Sequence, residues 1–203
     1  MIAPLAGVLL AYLLGSVPFG YLVFRARRGE DIRRHGSGNI GATNVARTLG
    51  PLAGLATLLL DAGKGSLAVL VMRWLGAAPL WLALAAVAAI LGHAFPVFLR
   101  FKGGKSVAVG LGVFTVLAPL AILPAIGTFL LVLVWSRYVS LASVIASLSF
   151  PLWAWALHAP RATVLGGLVC AALITAKHHE NWRRLLAGTE SRFQLRRVRD
   201  AGT

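Results

Sequence analysis

The stretch His35-Gly36-Ser37-Gly38-Asn39-Ile40-Gly41-Ala42-Thr43-Asn44-Val45-Ala46-Arg47 gathers glycines, short hydroxyl and amide side chains and one fixed cation between two hydrophobic runs. These are the parts of an anion-binding site. Gly36 and Gly38 let backbone N–H groups converge on a charged oxygen, and Ser37 and Asn39 add neutral donors. Thr43 and Asn44 extend the set, and Arg47 supplies a planar cation able to engage two phosphate oxygens at once. Gly36 to Asn39 alone reads as a turn; with Thr43, Asn44 and Arg47 close behind, substrate binding is the stronger reading.

A second segment, Phe101-Lys102-Gly103-Gly104-Lys105-Ser106, opens a later apolar run. Gly103 and Gly104 should lie at a helix N-terminus, where partial positive charge attracts phosphate. The Walker A spacing fails, because the residue six before Lys105 is Leu99 and not glycine, so no nucleotide is implied. Lys102 reads as a snorkelling anchor and Lys105 as a ligand. In a third segment, His178 and Asn181 stand three apart, so on a helix they share a face and can reach one ligand. His179 and Glu180 point elsewhere, HExxH is absent, and the only cysteine, Cys170, sits in an apolar run. No metal and no cofactor are expected. Asp61 and Lys64 fall three apart inside an apolar block and read as a structural pair, and His93 as a satisfied interior histidine.

These segments must be positioned by elements of an unusual kind. Hydrophobic residues make up 58% of the chain and mean hydropathy is +0.80, more than a water-facing surface permits. An all-α integral membrane protein follows, one transmembrane domain over residues 1–203. The net charge of +14 comes from Lys and Arg beside apolar runs, which fits anionic lipid headgroups and excludes the need for nucleic acid. The N-terminal run lacks a basic leader and is too long for a cleaved signal, so it is expected to remain as the first span.

Apolar blocks run over Pro4–Phe24, Pro51–Trp74, Pro79–Leu99, Val107–Trp135, Leu141–His158 and Ala162–Ala176. Basic clusters at Arg25–Arg34, Arg100–Lys105 and Lys177–Arg199 place three positions in the cytoplasm. Between two cytoplasmic clusters the chain must cross an even number of times. Two blocks separate Arg34 from Arg100, but three separate Lys105 from Lys177. The block Val107–Trp135 would make a helix of ~43 Å, against a hydrocarbon core of ~30 Å. Pro119 and Pro124 interrupt its middle, so we read it as two short spans. A seven-transmembrane-helix bundle is expected, N-terminus outside and C-terminus cytoplasmic, with a single span and a re-entrant break as the alternative for residues 107–135.

The motifs together resemble the bacterial acyl-phosphate:glycerol-3-phosphate acyltransferase family. The resemblance rests on GSGNIGATNVAR at 36–47, DAGKG at 61–65, LGHAFPVFLRFKGGKSVA at 91–108, SRYVSLAS at 136–143 and HHENWRRLLAGTE at 178–190. It implies that Ser37 and Arg47 are needed for activity, that Gly103 and Gly104 bind glycerol 3-phosphate with Lys105 adjoining, and that His178 and Asn181 are paired polar residues of the site. It further implies that Glu190 is structural and that Ser143, with Ser140, completes the pocket. The implied reaction moves a fatty acyl group from acyl phosphate to the sn-1 hydroxyl of glycerol 3-phosphate, giving lysophosphatidate and phosphate, the first step of phospholipid synthesis. Its setting would be the bacterial inner membrane, with the site facing the cytoplasm. Its partners would be acyl phosphate, glycerol 3-phosphate, membrane lipids and the enzyme that makes acyl phosphate. Whether His178 or a substrate phosphate takes the proton stays open. No histidine is followed five residues later by aspartate, which argues against a thioester-using relative. A small-anion or lipid transporter and a lipid-phosphate phosphatase remain the alternatives. The crossing count has a direct check: a topology reporter fused near Arg137 is expected to read out as cytoplasmic, and an external signal would exclude seven crossings.

Overall fold

The structure, a computed structural model, describes residues 2–193, and the tail residues Arg196, Arg197 and Arg199 lie outside them. Helices α1 (Ile2–Ser16), α2 (Phe19–Arg28), α3 (Ala42–Leu49), α4 (Pro51–Trp74) and α5 (Pro79–Ala94) form the first part of the chain. They are followed by α6 (Val107–Leu117), α7 (Pro119–Ser136), α8 (Val139–Ala156), α9 (Arg161–Lys177) and α10 (His179–Leu186). Three of these helices start on proline at the first position, where its missing N–H costs nothing and its fixed φ suits the helix. Among the described residues there is no strand.

The packing is inverted relative to a water-soluble bundle. Ala85, Ala86 and Ala89 are fully buried, whereas Leu131 is 74% and Val134 80% exposed. Hydrocarbon gives helices no hydrophobic reason to associate, so close backbone contact through small residues takes over. A side chain at Gly15 or Gly92 would run into the backbone of the facing helix in the α1–α5 pair. Gly65 and Gly112 stand in the same relation across α4 and α6. α7 lies along α8, α8 along α9, and α9 returns to α5. Among the described residues, five helical segments are long and apolar enough to cross a membrane: 2–28 with its interruption, 51–74, 79–99, 119–136 and 139–156. The apolar α6 is shorter, about 16 Å at the usual rise.

The first block is one candidate span over residues 2–28 but not one continuous helix: Pro18, which has no N–H to donate, interrupts it between α1 and α2. One expectation needs correction. The block 107–135 does divide into two helices, but at Ala118, directly before Pro119, so the halves are unequal. Pro124 lies inside α7 and does not end it. A proline at the first position of a helix stops the preceding one, while one a turn and a half further in removes a single hydrogen bond.

The four segments that follow α2, α5, α7 and α9 meet at one end of the bundle. Arg33 reaches the carbonyl of Leu99 at 3.5 Å, the Lys177 ammonium donates to the Ala94 carbonyl at 3.2 Å, and Phe193 N–H donates to the Arg137 carbonyl at 2.6 Å. Every motif singled out above, except the Asp61–Lys64 pair, is carried there.

Candidate active site

The first wall is the loop 35–41 folded onto the start of α3. Asn44, 1% exposed, is its peg. Its Oδ1 accepts from Ser37 N–H at 2.9 Å, and its Nδ2 donates to the carbonyls of His35 at 3.0 Å and Asn39 at 2.8 Å. Gly36 (φ 57°) and Gly38 (φ 72°) take the left-handed turns this wrapping needs. The Asn39 carboxamide closes a local turn by accepting from Gly41 N–H at 2.9 Å. Thr43 and Arg47, four apart and exposed, share the opposite face of α3.

The second wall is the segment 103–105. Gly104 is buried and its N–H donates to the His93 carbonyl at 3.0 Å, so that amide is spent on the protein and not aimed at an anion. Gly103 and Gly104 have no room for a Cβ: Gly103 abuts the His93 carbonyl and Pro96, Gly104 the His93 imidazole. Lys105 follows without a hydrogen-bonding partner among the described residues. Burial first, and Arg184 after it, push its ammonium down to about 8; Arg47 acts in the same direction, while Glu190 and Glu180 oppose. Those couplings put Arg47, Lys105, Arg184 and Glu190 within electrostatic reach of one another although they stand on separate elements.

The third wall is the junction of α9 and α10. His178 is 2% exposed, and its Nδ1 meets the Ile174 carbonyl at 2.7 Å. That contact assigns the proton to Nδ1 and leaves a bare lone pair on Nε2. Burial pushes the ring down to about 4, with Lys105 adding to the effect, so His178 is neutral at physiological pH. Asn181, one turn later, is also buried; its Nδ2 donates to Glu190 at 2.6 Å and its Oδ1 has no partner. His179 and Glu180 are exposed.

Glu190 ties this wall to α8. Its Oε1 accepts from Ser140 at 2.6 Å as well as from Asn181, and Arg184 donates to Oε2 at 2.7 Å. Ser143 donates to the Val139 carbonyl of its own helix at 2.7 Å. Burial alone would raise the Glu190 carboxyl, but the three hydrogen bonds outweigh it and hold the pKa below the usual range.

The residues expected to bind substrate therefore divide by what they already touch. Ser37 Oγ, Thr43, Arg47, Lys105, His178 Nε2 and Asn181 Oδ1 have no hydrogen-bonding partner among the described residues. Both ends of the Asn44 carboxamide and the Gly104 N–H are spent on the frame, which corrects their reading as direct substrate contacts, while Asn39 spends its Oδ1 on Gly41 and Ser140 its proton on Glu190. Three supports went unnoticed in the sequence: Tyr12, which donates to the Phe95 carbonyl at 2.8 Å; Lys177, on Ala94 and over the Phe95 ring at 4.7 Å; and Arg184 on Glu190. None stands at helical spacing from its partner, so the sequence shows the two cations and the tyrosine but not what each one holds.

An apolar helical bundle with unpaired cations, hydroxyls and a neutral imidazole gathered at one end defines a membrane enzyme site for phosphorylated substrates. The chain belongs to the glycerol-3-phosphate acyltransferase family, whose model matches residues 5–188. It is 50% identical to the glycerol-3-phosphate acyltransferase of Geobacter sulfurreducens, over 91% of this chain and 94% of that one. The enzyme of the same name from Desulforudis audaxviator is 53% identical over 93% and 94%. Among solved structures it is similar to PlsY, an integral membrane glycerol 3-phosphate acyltransferase, in its glycerol 3-phosphate form: TM-score 0.90, 41% identity, 95% of this chain and 96% of that one covered. The lysophosphatidic acid form aligns with a TM-score of 0.86 at 39% identity over the same shares. The protein is an acyltransferase of the membrane, and the transporter and phosphatase alternatives fall away.

The Glu190 clamp has a thermodynamic signature. A carboxylate held below its usual pKa contributes stability above the unfolded-state value, and that stability is lost as pH falls through the folded-state value. Glu190→Gln is expected to lower stability at pH 7 by about 1–3 kcal/mol. The gap from wild type, read as detergent-phase melting temperature, should close on acidification below the carboxylate range.

Proposed function

We propose that this protein transfers a fatty acyl group from acyl phosphate to the sn-1 hydroxyl of glycerol 3-phosphate, releasing phosphate and lysophosphatidate. The observation that carries the reading is the meeting of two cations that have no ion-pair partner among the described residues, Arg47 and Lys105, with a buried imidazole whose Nε2 is bare. The glycerol 3-phosphate and lysophosphatidic acid forms of the similar PlsY structure support the acceptor and the product.

An acyl phosphate is a mixed anhydride with a good leaving group, so the chemistry needs no covalent enzyme intermediate. Two phosphate groups must be neutralised and one hydroxyl aimed at the carbonyl carbon. Arg47 and Lys105 supply the charge, Ser37 and Thr43 the neutral donors. His178 Nε2 and Asn181 Oδ1 are acceptors that can orient the attacking hydroxyl. As its oxygen bonds to the carbonyl carbon, the carbon–oxygen bond to phosphate breaks. An imidazole held near pKa 4 is a poor final proton acceptor at neutral pH, whereas a phosphate oxygen titrates near ~6. The proton therefore leaves on phosphate, with His178 as orienter. Glu190 and Ser140, with Asp61 and Lys64 deeper in the bundle, are structural, and Ser143 borders the pocket.

This reading includes a single domain crossing the bacterial inner membrane seven times, N-terminus outside, with α6 and α7 as separate crossings and the site at the cytoplasmic surface. The enzyme that makes acyl phosphate is the natural supplier.

Purified protein given acyl phosphate and labelled glycerol 3-phosphate is expected to form lysophosphatidate, while acyl-CoA in place of acyl phosphate gives none. Arg47→Ala should lower kcat/KM about 10²-fold or more, the scale of losing one preorganised charge donor. Free fatty acid without lysophosphatidate would contradict the assignment. Because kcat/KM reports the free enzyme and Lys105 loses its charge above about 8, kcat/KM for glycerol 3-phosphate should fall as pH rises through that value. In Lys105→Arg, whose cation does not titrate there, the fall should vanish even though activity is lower throughout.

A further inference from the structure

Inside the bundle, α4 and α5 carry a polar cluster that the reaction does not use. Asp61 is 1% exposed, Lys64 5% and His93 4%. The Lys64 ammonium lies 2.7 Å from Asp61 Oδ1, donates to the Val17 carbonyl at 2.6 Å and meets His93 Nδ1 at 3.0 Å. The carbonyl and the imidazole are its hydrogen-bonding partners, and Asp61 faces it as an ion pair. The Val17 carbonyl is at the break where Pro18 interrupts the first span, so Lys64 binds the loose end of that helix to α5.

The contact with Lys64 also decides the state of His93. An ammonium at Nδ1 requires a lone pair there, which puts the ring proton on Nε2. The other side of the ring is packed on the second wall of the site. A Cβ on Gly104 would strike Nε2 first, then Cδ2 and Cε1, while the backbone carbonyl of the same histidine accepts the Gly104 N–H at 3.0 Å. One residue thus holds Gly104 from both its backbone and its side chain, immediately before Lys105. Gly104 is not among the positive-φ glycines, so no left-handed turn requires a glycine there.

We propose that His93, held by Lys64 and Asp61, is the positioning residue for the anion-binding segment 103–105, and that position 104 is glycine because the imidazole occupies the space of a side chain. The alternative role for this glycine is to let a phosphate approach the backbone. The two roles differ in what happens when the imidazole is removed. If His93 sets the constraint, shortening it makes room for a methyl at 104; if the ligand sets it, the two changes add. The inference rests on the proposed substrate, and the experiment below separates the two.

Gly104→Ala, His93→Asn and the double variant complete a mutant cycle. Asparagine at 93 keeps an acceptor for Lys64 while removing the far side of the ring. Gly104→Ala alone should raise KM for glycerol 3-phosphate about tenfold or more, and adding His93→Asn should recover most of that loss, a coupling typical of residues in contact. KM for acyl phosphate should move less than twofold in all three, a split that general destabilisation would not produce. A double variant worse than either single, by the product of their effects, overturns the proposal. The same cycle is read with inorganic phosphate, from the shift in melting temperature on titration, so it stands even if the wild-type protein turns over no acyl donor; absence of turnover then counts against the reaction alone. If His93→Asn fails to accumulate, Lys64→Met serves in its place: it frees the ring to swing off Gly104, and it should relieve Gly104→Ala in the same sense. Failure of relief in both pairings overturns the proposal.

Discussion

A polar group inside hydrocarbon has no water to turn to, and the architecture follows from that constraint. Where Pro18 breaks the first helix, the Val17 carbonyl accepts from Phe19 N–H and from the Lys64 ammonium, and the charge of Lys64 is met by Asp61 and His93. The Asp61–Lys64 contact lies off good hydrogen-bond geometry, and neither Asp61 oxygen receives a well-directed donor. Its stabilisation is thus mainly that of opposite charges in a low dielectric, offset by the cost of bringing both there. The rest of the span surface is apolar outward and small inward, so helices meet backbone to backbone, as α1 meets α5 through Gly15 and Gly92.

The same constraint drives the remaining polar chemistry to one end of the bundle, where it separates into frame and face. Asn44 is the clearest member of the frame: every hydrogen-bonding atom of its carboxamide is used to wrap the glycine loop. Glu190 is another, joining α8 to α10 through Ser140, Asn181 and Arg184. Members of the face are left incomplete: Asn181 Oδ1 is buried and bare, and Lys105 is a cation held where burial disfavours it. Such unfinished groups are stabilised by a ligand that completes them, and two phosphates and a hydroxyl would do so.

Much of this was legible before any coordinates. Apolar blocks gave the helices within a few residues at 51–74, 79–94 and 161–177, because hydrophobic length and proline at the first turn are local signals. Val17 was not legible as a break, since an apolar run carrying one proline reads alike whether it bends or stops. Gly103 and Gly104 read as phosphate donors by composition alone; the structure presses them on His93, a residue ten positions earlier that seemed merely a satisfied interior histidine. Ser140 looked like a pocket hydroxyl, yet its partner is Glu190, fifty residues away.

By itself the sequence determined the membrane class, most of the long apolar helices, the family and the types of side chain available for phosphate, because hydrophobicity, helix signals and residue chemistry are properties of short stretches. Only the tertiary structure decided which of those side chains are free. Whether Asn44 or Thr43 faces a ligand, and whether the Gly104 amide points at an anion or at His93, depends on which partner the packing brings within hydrogen-bonding reach. In the loop His35 to Arg47 the result is plain: both ends of the Asn44 carboxamide are consumed in shaping it, whereas the side chains of Ser37, Thr43 and Arg47 have no hydrogen-bonding partner among the described residues.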